Sequence, residues 1–172
     1  MFSKSLAVGI LAAGILAMAG LSSWAEDYHN HPAALAKALP EASVTLDRGL
    51  KASQREGKPI SGKYEIEDSA LQLSIYTMND DQFSEVIVDH KSGAIKKAEK
   101  ITDGDDLKHA KEQSTAMAKA KIPLDQAVEN AVKSNGGYRA VSVIPMLAAG
   151  APVASVTLMK DADVKKVTEK LD

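Results

Sequence analysis

The stretch Val86-Ile87-Val88-Asp89-His90-Lys91-Ser92-Gly93-Ala94-Ile95 constrains this chain more than any other, because it reads as strand, tight turn and strand. Val86 to Val88 are β-branched, Asp89 through Gly93 supply turn formers, and Ala94-Ile95 restarts an apolar segment. Gly93 suits a position that needs φ > 0, and the Asp89 carboxylate can accept hydrogen bonds from backbone N–H groups inside the turn. A β-hairpin follows, and with it antiparallel structure. The segment contains no nucleophile paired with a base.

The elements around the hairpin extend this pattern. Thr45 is placed as an N-cap, Leu46, Leu50 and Ser53 fall at helical spacing, and Gly57 followed by Pro59 ends that helix. Strands are expected over Ile60–Ile66, Leu71–Met78 and Phe83–Val88, with a fourth near Ala94–Ile101, and turn formers lie between them at Glu67-Asp68-Ser69 and Asn79-Asp80-Asp81. Thr102 to Asp106 then break the sheet and open a helix whose stripe is Leu107, Ala110, Ser114, Met117 and Lys121. His109 beside Lys108 and Lys111 reads as exposed. Asp103, Asp105 and Asp106 lack the alternating ligands of a calcium loop and read as helix-capping carboxylates.

After that connector the chain repeats itself. Val44-Thr45-Leu46-Asp47 corresponds to Ile122-Pro123-Leu124-Asp125, Gly62-Lys63-Tyr64 to Gly136-Gly137-Tyr138, and Ser74 to Met78 to Ser155 to Met159, at offsets of 78, 74 and 81. Val128, Ala131 and Val132 are the core face of the second copy's helix. Residues 164–171 fit both a strand and a helix by spacing, and the repeat favours the strand. The expected fold class is therefore α+β, two tandem units of one helix packed on a small antiparallel sheet, joined by a connector helix. The expected boundaries are a signal peptide over 1–25, a flexible arm over 26–42, unit 1 over 43–101, the connector over 102–121 and unit 2 over 122–172.

The first segment reads as a secretory signal. Lys4 gives a short basic region, Leu6–Leu21 is an apolar run of 16 residues, and Ser23-Trp24-Ala25 puts small residues at −3 and −1 of a cut before Glu26. The run falls short of the roughly 20 residues that span a bilayer. Cleavage leaves 147 of the 172 residues with 20 basic and 23 acidic side chains, and the expected localisation is periplasmic or secreted. With no cysteine, thiol redox, zinc thiolate and iron–sulfur chemistry are excluded, and packing alone must hold the fold. There is no basic tract with interleaved aromatics, so nucleic acid is not an expected partner.

Residues 44–101 resemble a PepSY domain, and residues 122–172 resemble a degenerate second one. The resemblance rests on Leu46-Asp47, on Val88-Asp89, Ser92-Gly93 and Ile95 in the hairpin, and on Leu124-Asp125 with Ala127 in the second copy; it covers about 110 residues. Gly49 stands where the family has a small helix residue, and the second copy lacks the hairpin. The resemblance implies a small α+β module of exported bacterial proteins and metallopeptidase propeptides that binds proteins or restrains peptidases, with no catalytic residues to carry over and no cofactor.

Beside that resemblance, the residues themselves offer one metal candidate. His29 and His31 form a His-x-His pair next to Glu26 and Asp27, and two imidazoles on one side of an extended segment could hold Cu(II), Ni(II) or Zn(II). The mature part contains neither Gly-x-Ser-x-Gly nor Ser-x-x-Lys, and His90 next to Asp89 points to the opposite face of a strand. The expectation is a non-enzyme, a monomer or weak dimer without a stable membrane anchor, that binds a protein or peptide, a peptidase or another envelope protein among them. The alternatives are a periplasmic metal or small-ligand carrier built on the His arm and a structural envelope protein.

Overall fold

The computed structural model describes residues 32–172. A short helix, α1 (Pro32–Ala38), runs into a 3-10 turn at Leu39–Glu41 and is followed by α2 (Leu46–Ser53). Four strands come next: β1 (Lys58–Glu67), β2 (Ala70–Asn79), β3 (Gln82–Val88) and β4 (Ile95–Ile101). Then come α3 (Gly104–Lys119), α4 (Leu124–Ser134), β5 (Arg139–Ala148), β6 (Ala151–Lys160) and β7 (Asp163–Lys170). Over the described residues the architecture is mixed α+β, with four helices and one seven-stranded antiparallel sheet in the order β4-β3-β2-β1-β5-β6-β7.

Where the sequence pointed to two small sheets, the strands are continuous. β1 and β5 pair at the centre, Gly62 opposite Val143 and Lys63 opposite Ser142, with a meander spreading outward on each side. The uncertain last element is a strand: Val167 sits opposite Val156 of β6 and Val164 opposite Met159. One element of the repeat is displaced. Gly136 and Gly137 form the turn between α4 and β5, with Gly137 at φ 85°, whereas Gly62 lies inside β1.

The core lies between α2, α4 and one face of the sheet. Leu46 and Leu50 of α2 are buried against Leu73 and Ile75 of β2. Two glycines set how closely that helix approaches. A Cβ on Gly49 would sit 2.7 Å from Leu73 Cδ2, and one on Gly62 would sit 2.7 Å from Ile75 Cδ1 and 3.3 Å from Leu46 Cδ1. Gly49 is thus a close-packing residue at the position that Ala127 fills in α4. Beside α2, helix α4 buries Leu124, Ala127, Val128 and Ala131, and Val132 packs partly against the same core. Lys51 Nζ of α2 reaches Glu129 of α4 at 2.5 Å and Asp125 at 3.7 Å.

Helix α3 covers the opposite face. Ser61 is the neighbour of Gly62 and so points away from α2; its Oγ donates to Gln113 Oε1 of α3 at 2.7 Å. The buried residues of α3 are His109, Ala110, Gln113, Ala116 and Met117, so the expected stripe holds at Ala110 and Met117 and is rotated elsewhere. Ser114 is half-buried, Lys121 lies past the helix end, and His109, expected on the surface, is 6% exposed. The reason lies in the sheet. This face presents Ser61, Ser142 and Thr157, all buried, and a helix seated on hydroxyls turns Gln113 and His109 inward alongside Ala110, Ala116 and Met117.

The arm expected to be loose is docked over its described part. Leu35, Leu39 and Ala42 join the core. Arg139, at the start of β5, holds the segment down: Nη1 donates to the carbonyls of Leu39 (3.2 Å) and Ala42 (2.9 Å), and Nη2 to that of Val44 (2.7 Å). Its guanidinium carbon lies 5.4 Å from the centroid of the buried Tyr64 ring, and the Tyr64 hydroxyl donates to the Val44 carbonyl as well. Charge-assisted bonds of this kind contribute about 1.5–3 kcal/mol. Arg139→Met is therefore expected to lower unfolding stability by about that amount and to speed protease cleavage between residues 32 and 45, read by denaturant titration and limited proteolysis.

Candidate functional site

Three regions of the described chain carry polar chemistry: the β3–β4 turn, the sheet face beside α3, and the sheet edges. In the turn, Asp89 Oδ1 accepts from the backbone N–H groups of Lys91 (3.0 Å) and Ser92 (2.7 Å) and from Ser92 Oγ (3.0 Å). Gly93 takes φ 79° while its N–H donates to the Asp89 carbonyl at 2.8 Å. Lys96 Nζ reaches the other carboxylate oxygen at 2.9 Å, and this contact, followed by the Ser92 N–H, holds the carboxyl well below the usual carboxylate range. The residues of the motif thus fold the turn. The His90 carbonyl accepts from the N–H groups of Ser43 (2.9 Å) and Val44 (3.0 Å), which ties the turn to the entry of α2. Its ring is half-buried, and burial lowers its pKa.

The other motif residues divide in the same way. Leu46, Val88, Leu124 and Ala127 are core residues, and Ile95 packs at the core margin. Asp47 and Asp125 open α2 and α4, where a carboxylate offsets the helix dipole, and Asp125 also faces Lys51. Thr45 occupies its expected N-cap position, although its side chain makes no cap hydrogen bond. Asp103 likewise sits at the N-cap of α3 without a side-chain cap bond, so the capping expected of that aspartate is electrostatic only.

Sequence reasoning missed the polar face of β1, β2 and β3. Lys63 and Glu65 pair at 2.5 Å with both side chains largely buried. Ser74 Oγ donates to Glu65 at 2.7 Å, Gln72 Nε2 donates to Ser74 Oγ at 3.0 Å, and the Tyr76 hydroxyl donates to Glu85 at 3.2 Å. Burial, reinforced by Glu65, pushes the Glu85 carboxyl up, and burial likewise raises the Tyr76 phenol. The signal was present as alternation, since Glu65, Ser74 and Tyr76 occupy the face opposite Leu73 and Ile75. These groups satisfy one another, which makes the face a structural network with a polar surface.

The outer strands are open on one side. Among the described residues β4 pairs with β3 alone and β7 with β6 alone. From Lys96 to Lys100 every residue of β4 is exposed, and Lys97 Nζ lies 2.7 Å from Glu99. The metal candidates His29 and His31 lie outside the described residues. Among the described residues no group of three or more His, Cys, Asp or Glu could hold a metal ion, and no helix is long and apolar enough to cross a membrane. Comparison with protein-family models, with curated proteins and with solved structures returned no match.

The turn makes a pH prediction with a definite sign. A carboxyl whose folded pKa is depressed stabilises the fold above its unfolded value and loses that contribution as pH falls through the folded one. Wild-type protein is therefore expected to lose stability from about pH 4 downward, and Asp89→Asn to flatten that acid limb, measured by chemical denaturation across pH 2 to 7.

Proposed function

We propose that this chain is an exported, non-enzymatic PepSY-like protein that binds an extended segment of another protein, with a peptidase as one class of target. The single observation that carries this reading is β4: seven residues long, paired on one side only among the described residues, exposed along its centre, and backed by a six-stranded remainder of the sheet. A partner's extended segment would add to it as an eighth strand, main-chain hydrogen bonds giving affinity and side chains on the two faces giving selectivity. Charges keep such an edge soluble until it is occupied.

The same reading divides the chain into two tandem helix-plus-meander units, and matched backbone details support it. The register of β1 shifts between Pro59 and Ser61, and that of β5 between Ala140 and Ser142. Ser61 then faces Tyr76 as Ser142 faces Thr157, both at an offset of 81. Ahead of each helix, two successive N–H groups meet one carbonyl: Ser43 and Val44 meet His90, and Lys121 and Ile122 meet Leu171. The hairpin motif of the first unit, Val88-Asp89 with Ser92-Gly93 and Ile95, supports the family resemblance, and its role there is to place β4.

Adjacent residues of a strand direct their N–H groups to opposite sides, so proline at Lys97 and proline at Ala98 remove one outward donor and one ladder donor between them. The variant that keeps wild-type stability is the one lacking the outward donor. It is expected to lose capture of envelope polypeptides that wild type retains, while hydrogen exchange of the β4 amides slows in the wild-type complex. Capture that survives this variant, with no slowing at β4, overturns the edge-binding reading.

A further inference from the structure

The second edge, β7, differs from β4 in a way that points to another occupant. On the face beneath α2 and α4, Val86 of β3 is fully buried with Ala98 of β4 opposite it, whereas Val167 of β7 is only half-buried. Val167 backs onto the buried Val156, and its other flank is open among the described residues. Lys165 and Glu169 lie two residues to either side of it on the same face. Lys165 is held there, its Nζ 4.0 Å from the centroid of Tyr138, whose hydroxyl donates to Asp163.

Two copies of a strand that pair antiparallel about an axis normal to the sheet keep each side chain on its own face, so a permitted register is centred on one residue. Four such registers of β7 overlap five residues or more, centred on residues 165, 166, 167 or 168. Centring on Lys165 or Lys166 sets two lysines against each other on the axis, and centring on Thr168 sets Lys166 against Lys170 twice. Only the register centred on Val167 is free of like charges. It places Val167 against Val167, Lys165 against Glu169 in both directions, Lys166 against Thr168 and Val164 against Lys170. No such register exists for β4, where centring on Ala98 opposes Lys96 and Lys100 twice, and its neighbours put Lys97 or Glu99 on the axis.

We propose that the chain forms a two-fold dimer through β7, its occupant a second copy of the same strand in the register centred on Val167. Two seven-stranded sheets then run on as one, Val167 is covered as β4 covers Val86, and the two β4 edges lie free at the far ends. Cross-strand pairs of opposite charge stabilise and like charges destabilise by comparable amounts. Replacing Glu169 by lysine turns two attractive pairs into two repulsive ones.

The test is sedimentation equilibrium of the purified chain and three variants, each checked for a wild-type circular dichroism spectrum and melt. Wild type is expected at twice the chain mass, Glu169→Lys with dimer association weakened at least about tenfold, and Lys165→Glu combined with Glu169→Lys restored toward wild type. Because the chain has no cysteine, Val167→Cys is expected to cross-link to a dimer under mild oxidation, while Lys97→Cys on β4 does not. A wild type that stays monomeric at millimolar concentration, a Glu169→Lys dimer as tight as wild type, or a charge swap that fails to restore association would each overturn the proposal.

Discussion

The arrangement depends on a short seam. β1 and β5 meet through the pairs Gly62–Val143 and Lys63–Ser142, and those pairs decide whether the molecule is one sheet or two. So brief a ladder is a weak join by itself, and the helices brace it from both faces. Above it, α2 and α4 lie side by side, α2 drawn close to the sheet by Gly49 and Gly62 and tied to α4 through Lys51 and Glu129. Below it, α3 packs on both β1 and β5, with Gln113 bonded to Ser61 and with Ala110 and Ala116 buried. Arg139 adds a third brace, because it begins β5 yet binds carbonyls at residues 39, 42 and 44. No single brace is strong, but each crosses the same line.

With the seam closed, the open surfaces follow by geometry. A continuous antiparallel sheet has two edges, which among the described residues are β4 and β7, and central strands paired on both sides. The face beneath α2 and α4 is apolar and buried, while the opposite face carries the Lys63–Glu65–Ser74 and Tyr76–Glu85 contacts. Those groups are bonded to one another, so this face costs little to bury partly and offers little affinity to a ligand. The edges retain backbone groups for a partner, and their lysines and glutamates determine which partner fits. On this account β4 is open to an extended segment of another protein, and β7 is complementary to itself.

The sequence made the elements legible where periodicity was strong. The alternation of Leu71, Leu73 and Ile75, the turn at Asp89–Gly93 and the N-terminus of α2 at Leu46 all lie where the pattern placed them. It was silent on what joins the elements. Two buried residues facing each other across a sheet centre leave no local mark, so β1–β5 pairing was not readable, and Gly62, expected inside a strand and found there, was aligned in the repeat with Gly136, which lies in a turn. His109 was read as exposed because its neighbours in sequence are lysines, whereas its neighbours in space are a polar sheet face. Arg139 carried no signal either, since its partners are backbone carbonyls about a hundred residues away. The polar motif residues lay in plain view, and their work is local: Asp89, Ser92 and Gly93 build a turn.

Two meanders are fused into one cooperative sheet by the braced seam, and among the described residues only the edges remain open. Native-state hydrogen exchange measured against denaturant tests it residue by residue. The account predicts that amides of β1, β2, β5 and β6 share one opening free energy equal to that of global unfolding, while the outward amides of β4 exchange fastest. Separate opening of β5–β7, with β1–β4 still protected, would contradict it and leave two domains that merely touch.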